Sequence, residues 1–265
     1  MSEGRGSGNG GPTAGTQSIT RTLAVLAAFR DDEADLGVSE VASRLGLSSS
    51  TIHRIIRALA AEGYLAQNAA TERYYLGRGA VLLGQAANRR LGVNLIQSVL
   101  DRVVAETGES VNLGVRDGGD MVVLMRTEST QPLRISQPPG SRLPIYATGM
   151  GKATLAHSAS IDKEIEALDH PLHPLTPKTI TSAERLRAEL NRVRKRGYST
   201  DDEEAIPGVR CVAVPVLSNE GELLAALAIQ GPVVRMPRAR LTDLAPIAIE
   251  AAQEISEMIP SARQL

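Results

Sequence analysis

Apolar residues along the chain recur at two intervals, three to four residues and two residues, and the change between them divides the sequence. From Ser18, read as a helix cap, Leu23, Val25, Leu26 and Phe29 lie on one helical stripe. The acidic stretch from Asp31 to Asp35 reads as a loop. Val41, Ala42 and Leu45, then Ile52, Ile55, Ile56 and Leu59, mark two short helices that meet at Gly46. Tyr64 to Gln67 and Arg73 to Leu76 read as a small hairpin. Val81, Leu82 and Leu83 belong to a further helix, roughly Arg78 to Asn88, with a hinge at Gly92 and Val93.

From Asn94 the pattern changes. Ile96, Val99, Leu100 and Val103 make a helix that Gly108 ends. Val111, Leu113 and Val115 alternate, Asp117 to Asp120 turn the chain, and Met121 to Met125 return it. Leu133 and Ile135 suggest a third strand, and Gly149 to Ala156 the start of a helix. Thr181 and Glu184 have capping-box spacing before Leu186, Leu190 and Val193, with Gly197 as the stop. Val209 to Leu217 and Leu223 to Gln230 form a hairpin about Asn219–Gly221. Leu241, Leu244, Ala248, Ala251 and Ile255 make a last helix. The fold class predicted is α+β, with an antiparallel sheet in the C-terminal half.

The two helices at Gly46 carry the sharpest signal. Ser39 reads as an N-cap, Ala42 is small enough for close helix packing, Gly46 suits a turn with positive φ, and Leu47 plugs it. Ser48, Ser49 and Ser50 open the second helix, where hydroxyls and free amides suit a phosphate. Its outward face offers Ser50, Thr51, His53, Arg54 and Arg57. Thr51, His53 and Arg54 are placed to reach base edges, and Arg57 a phosphate. With the hairpin as a wing, the order is that of a winged helix-turn-helix. Arg73 on the wing reads equally as a backbone or minor-groove contact and as a solvated hairpin residue.

Charge supports this reading. The whole chain carries −1, yet from Val41 to Arg90 seven arginines face only Glu62 and Glu72, a net +5 that leaves −6 for the remainder. A basic patch on an otherwise acidic chain fits a polyanion. Aromatics are only 2%, which argues against a stacking platform for single strands. The single cysteine, Cys211, excludes an intrachain disulfide and points to a reducing compartment. No apolar run reaches membrane-spanning length, and the Gly/Ser/Asn-rich start lacks a secretory h-region, so a cytoplasmic protein is expected.

The segments TQSITRTLAVLAAF from Thr16, LGVSEVASRLGLSSSTIHRIIRALAAEGYL from Leu36 and YYLG at Tyr74 resemble the IclR family of bacterial transcriptional regulators. So do LPIYATGMGKATLA from Leu143, RGYSTDDEEAIPGVRCVAVPV from Arg196 and LAALAIQGP from Leu224. The resemblance runs from Thr16 to Met258. The Gly/Ser/Asn-rich start reads as a disordered tail (1–15), and the resemblance implies a winged helix-turn-helix domain (16–77), a linker helix and hinge (78–92), and a GAF-like effector domain (93–265). It also implies a homodimer or homotetramer that binds operator DNA under control of a small organic effector, as repressor, activator or both. Gly149, Met150, Asp201, Val209, Cys211, Ala228 and Gln230 would line the effector pocket. Members that bind small 2-oxo acids have serines at the last two positions, so Ala228 and Gln230 argue against a glyoxylate- or pyruvate-like ligand.

Other chemistries find less support. Cys211 lies in an alternating apolar strand with no histidine linked to it, so a wall or core role is favoured over a nucleophile. The rival reading is an enzyme using Cys211 and Asp201. His170 and His173 lack further metal ligands. In Asp201–Glu204 one carboxylate is expected to orient a ligand while the others solvate or cap. Arg126 and Arg134 are read as surface salt bridges, or else as partners for an acidic effector or for the Asp201–Glu204 run. No catalytic residue, metal or cofactor is expected.

Overall fold

The computed structural model describes residues 14–30 and 34–259, which fall into two compact units divided between Ala87 and Asn88. Of the tail expected over 1–15, the first thirteen residues lie outside the described residues, as do 31–33 of the acidic stretch. Among the described residues no helix is long and apolar enough to cross a membrane.

In the first unit, α1 (Ala14–Arg30), α2 (Val38–Leu45) and α3 (Ser49–Ala61) precede a two-stranded sheet of β1 (Leu65–Gln67) and β2 (Tyr74–Leu76). Val25, Phe29, Val41, Ile52, Ile56 and Leu65 close one apolar core. Gly46 takes φ 62° and its amide caps α2, as a sharp turn between helices requires. Three local expectations need correcting. Ser18 lies inside α1 rather than at its start, and Leu23 is 60% exposed rather than in the stripe. Ser39 is not the cap of α2: the N-cap is Gly37, whose N–H donates to Glu40 Oε2 at 2.8 Å. The capping residue is therefore a carboxylate one turn in, which holds the helix dipole as well as the orphan amide. The next helix, α4 (Arg78–Leu91), leaves Val81, Leu82 and Leu83 each more than half exposed.

The second unit begins at Asn88, within the last turn of α4, and continues through Gly92 at φ 69° into α5 (Val93–Thr107). Its strands are β3 (Ser110–Asp117), β4 (Asp120–Thr127), β5 (Arg142–Pro144), β6 (Ser199–Asp202), β7 (Val209–Leu217) and β8 (Leu223–Pro232). Its other helices are α6 (Gly149–Ala156), α7 (Ile161–Glu166), α8 (Ala183–Arg196) and α9 (Arg238–Met258). The sheet is antiparallel throughout, in the order β5-β4-β3-β8-β7-β6. Leu133 and Ile135 form no strand; the third strand in sequence is β5, and Leu133 is exposed. Pro132, Pro138 and Pro139 flank that segment, and proline cannot donate to a ladder. The cap of α8 is Ser182, not Thr181, which puts Glu184 in the first turn rather than at capping-box spacing.

The two faces of this sheet are built from different residue sizes. Val212, Val214 and Val216 of β7 with Leu227 and Ile229 of β8 meet α5 and α9 in one core. The alternate positions, Cys211, Ala213, Ala226 and Ala228, are small and meet α6 and α8 in another. The small face lets α6 lie almost on the strands. A Cβ at Gly149 would stand 2.5 Å from Cys211 Sγ, and one at Gly151 would stand 1.8 Å from the backbone oxygen of Ile145. Because that second obstacle is backbone, it cannot swing aside. Gly151→Ala is therefore expected to cost about 3 kcal/mol or more by overpacking and to lower the melting temperature of the full chain by roughly 6–12 °C. An unchanged melting curve would show that the helix is not held this close.

Candidate functional site

Two surfaces carry the candidate chemistry, one in each unit. In the first, α3 buries Ile52, Ile55, Ile56 and Leu59 and turns His53, Arg54 and Arg57 to solvent. Its start is an exposed serine cluster. Ser48 Oγ accepts from the Thr51 amide at 3.3 Å and is also hydrogen-bonded to the hydroxyls of Ser50 (3.1 Å) and Thr51 (2.9 Å). The Ser48 carbonyl also accepts from the Thr51 amide at 3.0 Å, and the helix dipole gives this end a partial positive charge. Thr51 is thus tied to the cap, while His53 and Arg54 are not.

Arg73 is paired within the first unit rather than merely solvated. Its Nη2 donates to Glu40 Oε2 at 2.6 Å and its Nε to the Asp35 carbonyl at 2.7 Å. The wing is thereby fastened to α2, and the Gly37 amide together with Arg73 holds the Glu40 carboxyl below its ordinary pKa.

In the second unit, all seven residues named from sequence (Gly149, Met150, Asp201, Val209, Cys211, Ala228 and Gln230) line a single cavity. Its volume is about 20 Å³, room for about one water molecule, so the site is nearly closed in this structure and far below the roughly 300–1,000 Å³ of occupied small-molecule pockets. Strand register sets the wall. Asp201, Cys211 and Gln230 stand opposite one another on β6, β7 and β8. The next row runs Ser199, Ala213, Ala228, Asn112 and Arg126 across five strands. The first turn of α6 is the roof, capped by Thr148 Oγ1, which accepts from the Gly151 amide at 2.9 Å. Two larger clefts elsewhere in this unit are open to solvent and lie away from this row.

Asn112, Gln137, Thr148, Ala205 and Ile206 also line the cavity and were not named from sequence. Arg126 does form an ion pair, with Nε 3.6 Å from Glu128 Oε1, but from a buried position: its side chain is 2% exposed, and Nη1 donates to Asn112 Oδ1 at 2.8 Å. Arg134 does pair at the surface, with Glu128 at 3.0 Å. His170 and His173 are used structurally, as a ring contact to the Ile165 carbonyl and a backbone acceptor for Tyr146.

The four acids of the 201–204 run have separate tasks. Asp202 pairs with Arg210 and Arg238, and Glu203 with Lys178. Glu204 meets Lys152, which is fully buried beneath the α6 turn. Glu204 therefore neutralises a charge that would be prohibitive to bury alone. Asp201 faces the cavity, with Oδ1 accepting from the Glu204 amide at 2.6 Å. Burial raises its pKa from 3.8 to about 7, against the lowering influence of Lys152. Burial also pushes the Cys211 thiol up, and the neighbouring Asp201 adds to the shift. A thiol so placed keeps its proton at neutral pH and is a poor nucleophile.

Comparison with known proteins places both units. Residues 18–69 match the family profile described as IclR helix-turn-helix domain, and residues 87–257 the one described as Bacterial transcriptional regulator IclR C-terminal. The chain is 35% identical over 243 residues to the HTH-type transcriptional regulator BhcR of Paracoccus denitrificans, covering 91% of this chain and 87% of the relative. It is 32% identical over 250 residues to the transcriptional repressor IclR of Escherichia coli, covering 92% and 90%. Among solved structures, an IclR homolog from Microbacterium hydrocarbonoxydans complexed with 4-hydroxybenzoate superposes with a TM-score of 0.79 at 26% identity, covering 91% of this chain and 98% of that one.

The Asp201 shift has a stability consequence. The unfolded chain releases this proton near pH 3.8, the folded chain near pH 7. The stabilisation is full below about pH 4 and is lost as pH rises towards and through about 7. Melting curves of wild type and Asp201→Asn should therefore diverge as pH is raised across this window, with the wild type losing ground. Parallel curves would mean that Asp201 ionises freely in the folded state.

Proposed function

The chain belongs to the IclR family of bacterial transcriptional regulators, and from that premise we propose which of its residues read DNA and which receive the signal. It is a ligand-responsive DNA-binding regulator. The observation that carries the finer reading is the two-sided character of α3: a complete apolar stripe inward, and His53, Arg54 and Arg57 outward. His53 and Arg54 are proposed to contact base edges in the major groove, Arg54 through a bidentate pair with guanine. Ser48, Ser49 and Ser50 at the helix start, with Arg57 one turn on, are proposed to hold phosphates. Thr51 braces the cap and reaches the nearest base or phosphate from there. Arg73 serves the fold of the wing first, with any phosphate contact secondary to its pairing with Glu40.

The cavity of the second unit is proposed as the effector site, with Gly149, Met150, Asp201, Val209, Cys211, Ala228 and Gln230 at its wall. A buried thiol beside a carboxyl supports binding rather than catalysis, so the chain is read as a regulator without enzymatic activity. Its domains are proposed to run 16–77, 78–92 and 93–265. Val81, Leu82 and Leu83, exposed along α4, suit a helix that pairs with a second copy in a cytoplasmic dimer or a tetramer built from dimers. The relative bound to 4-hydroxybenzoate makes small organic acids of catabolism the first effectors to test, and a catabolic or metabolic operon the target.

Selection from a random duplex library with the full-length protein tests the DNA reading. The expected product is two related half-sites spaced by about 10 base pairs or a multiple of that. Arg54→Ala should cost roughly 10- to 100-fold at the selected site and relax one base position. Arg57→Ala should weaken all sequences alike and flatten the salt dependence. A library that returns no enriched sequence would refute the assignment.

A further inference from the structure

On the reading of α3 as the helix that contacts DNA, we propose that Glu40 and Arg73 are positioning residues for DNA binding. Joined as a clasp, they hold the wing against α2, and Arg73 itself contacts no phosphate.

The wing is tied to α2 and to the segment just before it. Arg73 Nη2 donates to Glu40 Oε2 at 2.6 Å, and its Nε donates to the Asp35 carbonyl at 2.7 Å. Asn68 Nδ2 donates to Asp35 Oδ2 at 3.0 Å. Between these ties, Leu36 and Tyr74 exchange backbone hydrogen bonds, 2.9 Å each way. Glu40 Oε2 also accepts from the Gly37 amide at 2.8 Å, so one carboxylate oxygen both caps α2 and holds the wing arginine. An isolated surface ion pair is weak because two long side chains must be held in one geometry. Here the cap fixes the carboxylate and the Asp35 carbonyl fixes the guanidinium, although both side chains are partly exposed.

The charges of the wing say what the clasp is for. From Leu65 to Leu76 the charged residues are Glu72 and Arg73. With Arg73 neutralised by Glu40, the wing offers DNA no unpaired cation of its own. Its exposed tip is Ala69, Ala70 and Thr71. A long free cation finds a phosphate over several ångströms and tolerates slack. Small uncharged residues meet a groove wall only at van der Waals or hydrogen-bond distance. A wing of this composition therefore contributes to binding only where it is held in place. Glu40 acts on that placement through Arg73, and Asn68 acts on it through Asp35.

Operator affinity of the full chain tests the proposal, on the duplex selected from the random library and well below the melting temperature of every variant. Glu40→Gln raises the net charge by one, and Arg73→Gln lowers it by one. Were charge the only effect, the two would shift affinity in opposite directions. As halves of a clasp, both should weaken the operator complex, each about 3- to 10-fold. The double variant should be about as weak as either single one, because one interaction is lost in all three. Asn68→Ala changes no charge and should weaken the complex in the same direction; it also gives an independent route should an Arg73 variant not fold. The slope of log affinity against log salt should stay that of the wild type, since no phosphate contact is lost. Hydroxyl-radical footprints should lose flanking protection and keep the protection under α3. A role in stability alone would lower melting temperatures and leave the affinity and footprint of the folded chain unchanged, which overturns the proposal. So does a tighter complex with Glu40→Gln, or a slope smaller by about one with Arg73→Gln, either of which would make Arg73 a phosphate contact. Arg57→Ala separates this from the reading of α3. If it flattens the salt dependence while the clasp variants bind like the wild type, the proposal falls and α3 stands as the reading helix. If Arg57→Ala also binds like the wild type, the reading of α3 falls, and the proposal with it.

Discussion

The close seating of α6 on the sheet is the constraint from which the cavity follows. Gly149 against Cys211 and Gly151 against Ile145 bring a helix start within reach of three strands. Any side chain at those glycines would push the helix outward. The same closeness buries Lys152 under the first turn, where Glu204 has to meet it. It also places the Asp201 carboxyl in a dry wall, and desolvation there raises its pKa. Cavity shape, buried ion pair and acid–base character are three results of one packing distance.

Much of this arrangement was legible in the sequence. Helical stripes, the Gly46 turn and the β7–β8 hairpin followed from spacing alone. All seven pocket residues implied by the family resemblance came together around one cavity. The small-large alternation of β7 and β8 was visible as a strand signal, but it held more: the small side marks where a helix packs close. Asn112 could have been noticed as a polar residue between Val111 and Leu113. Such alternation ordinarily means a solvated face, whereas this sheet carries helices on both sides, so its polar positions are interior.

The misses have physical causes. Caps depend on backbone placement within a residue or so, so Gly37 with Glu40 displaced Ser39, and Ser182 displaced Thr181. The Leu133–Ile135 segment has strand composition, yet prolines surround it, and its carbonyls are used by Arg235 and Arg126 instead of a ladder. The hydrogen-bonded Arg126–Asn112–Gln230 chain joins residues more than a hundred positions apart, and only strand register brings them together. Arg73 stood open between a nucleic-acid contact and a solvated hairpin residue, and nothing local to it announced its pairing with Glu40.

Regulation adds one requirement to this structure. A ligand in the second unit can alter DNA binding by the first only if it binds one arrangement of the recognition helices better than another. Such coupling is reciprocal, so the two affinities must change by the same factor. The direct measurement is a pair of titrations on the full chain: operator affinity with and without a saturating small acid in the cavity, and acid affinity with and without operator. The account predicts equal changes, about 5- to 150-fold in size. An operator affinity that stays constant while the cavity fills would contradict it.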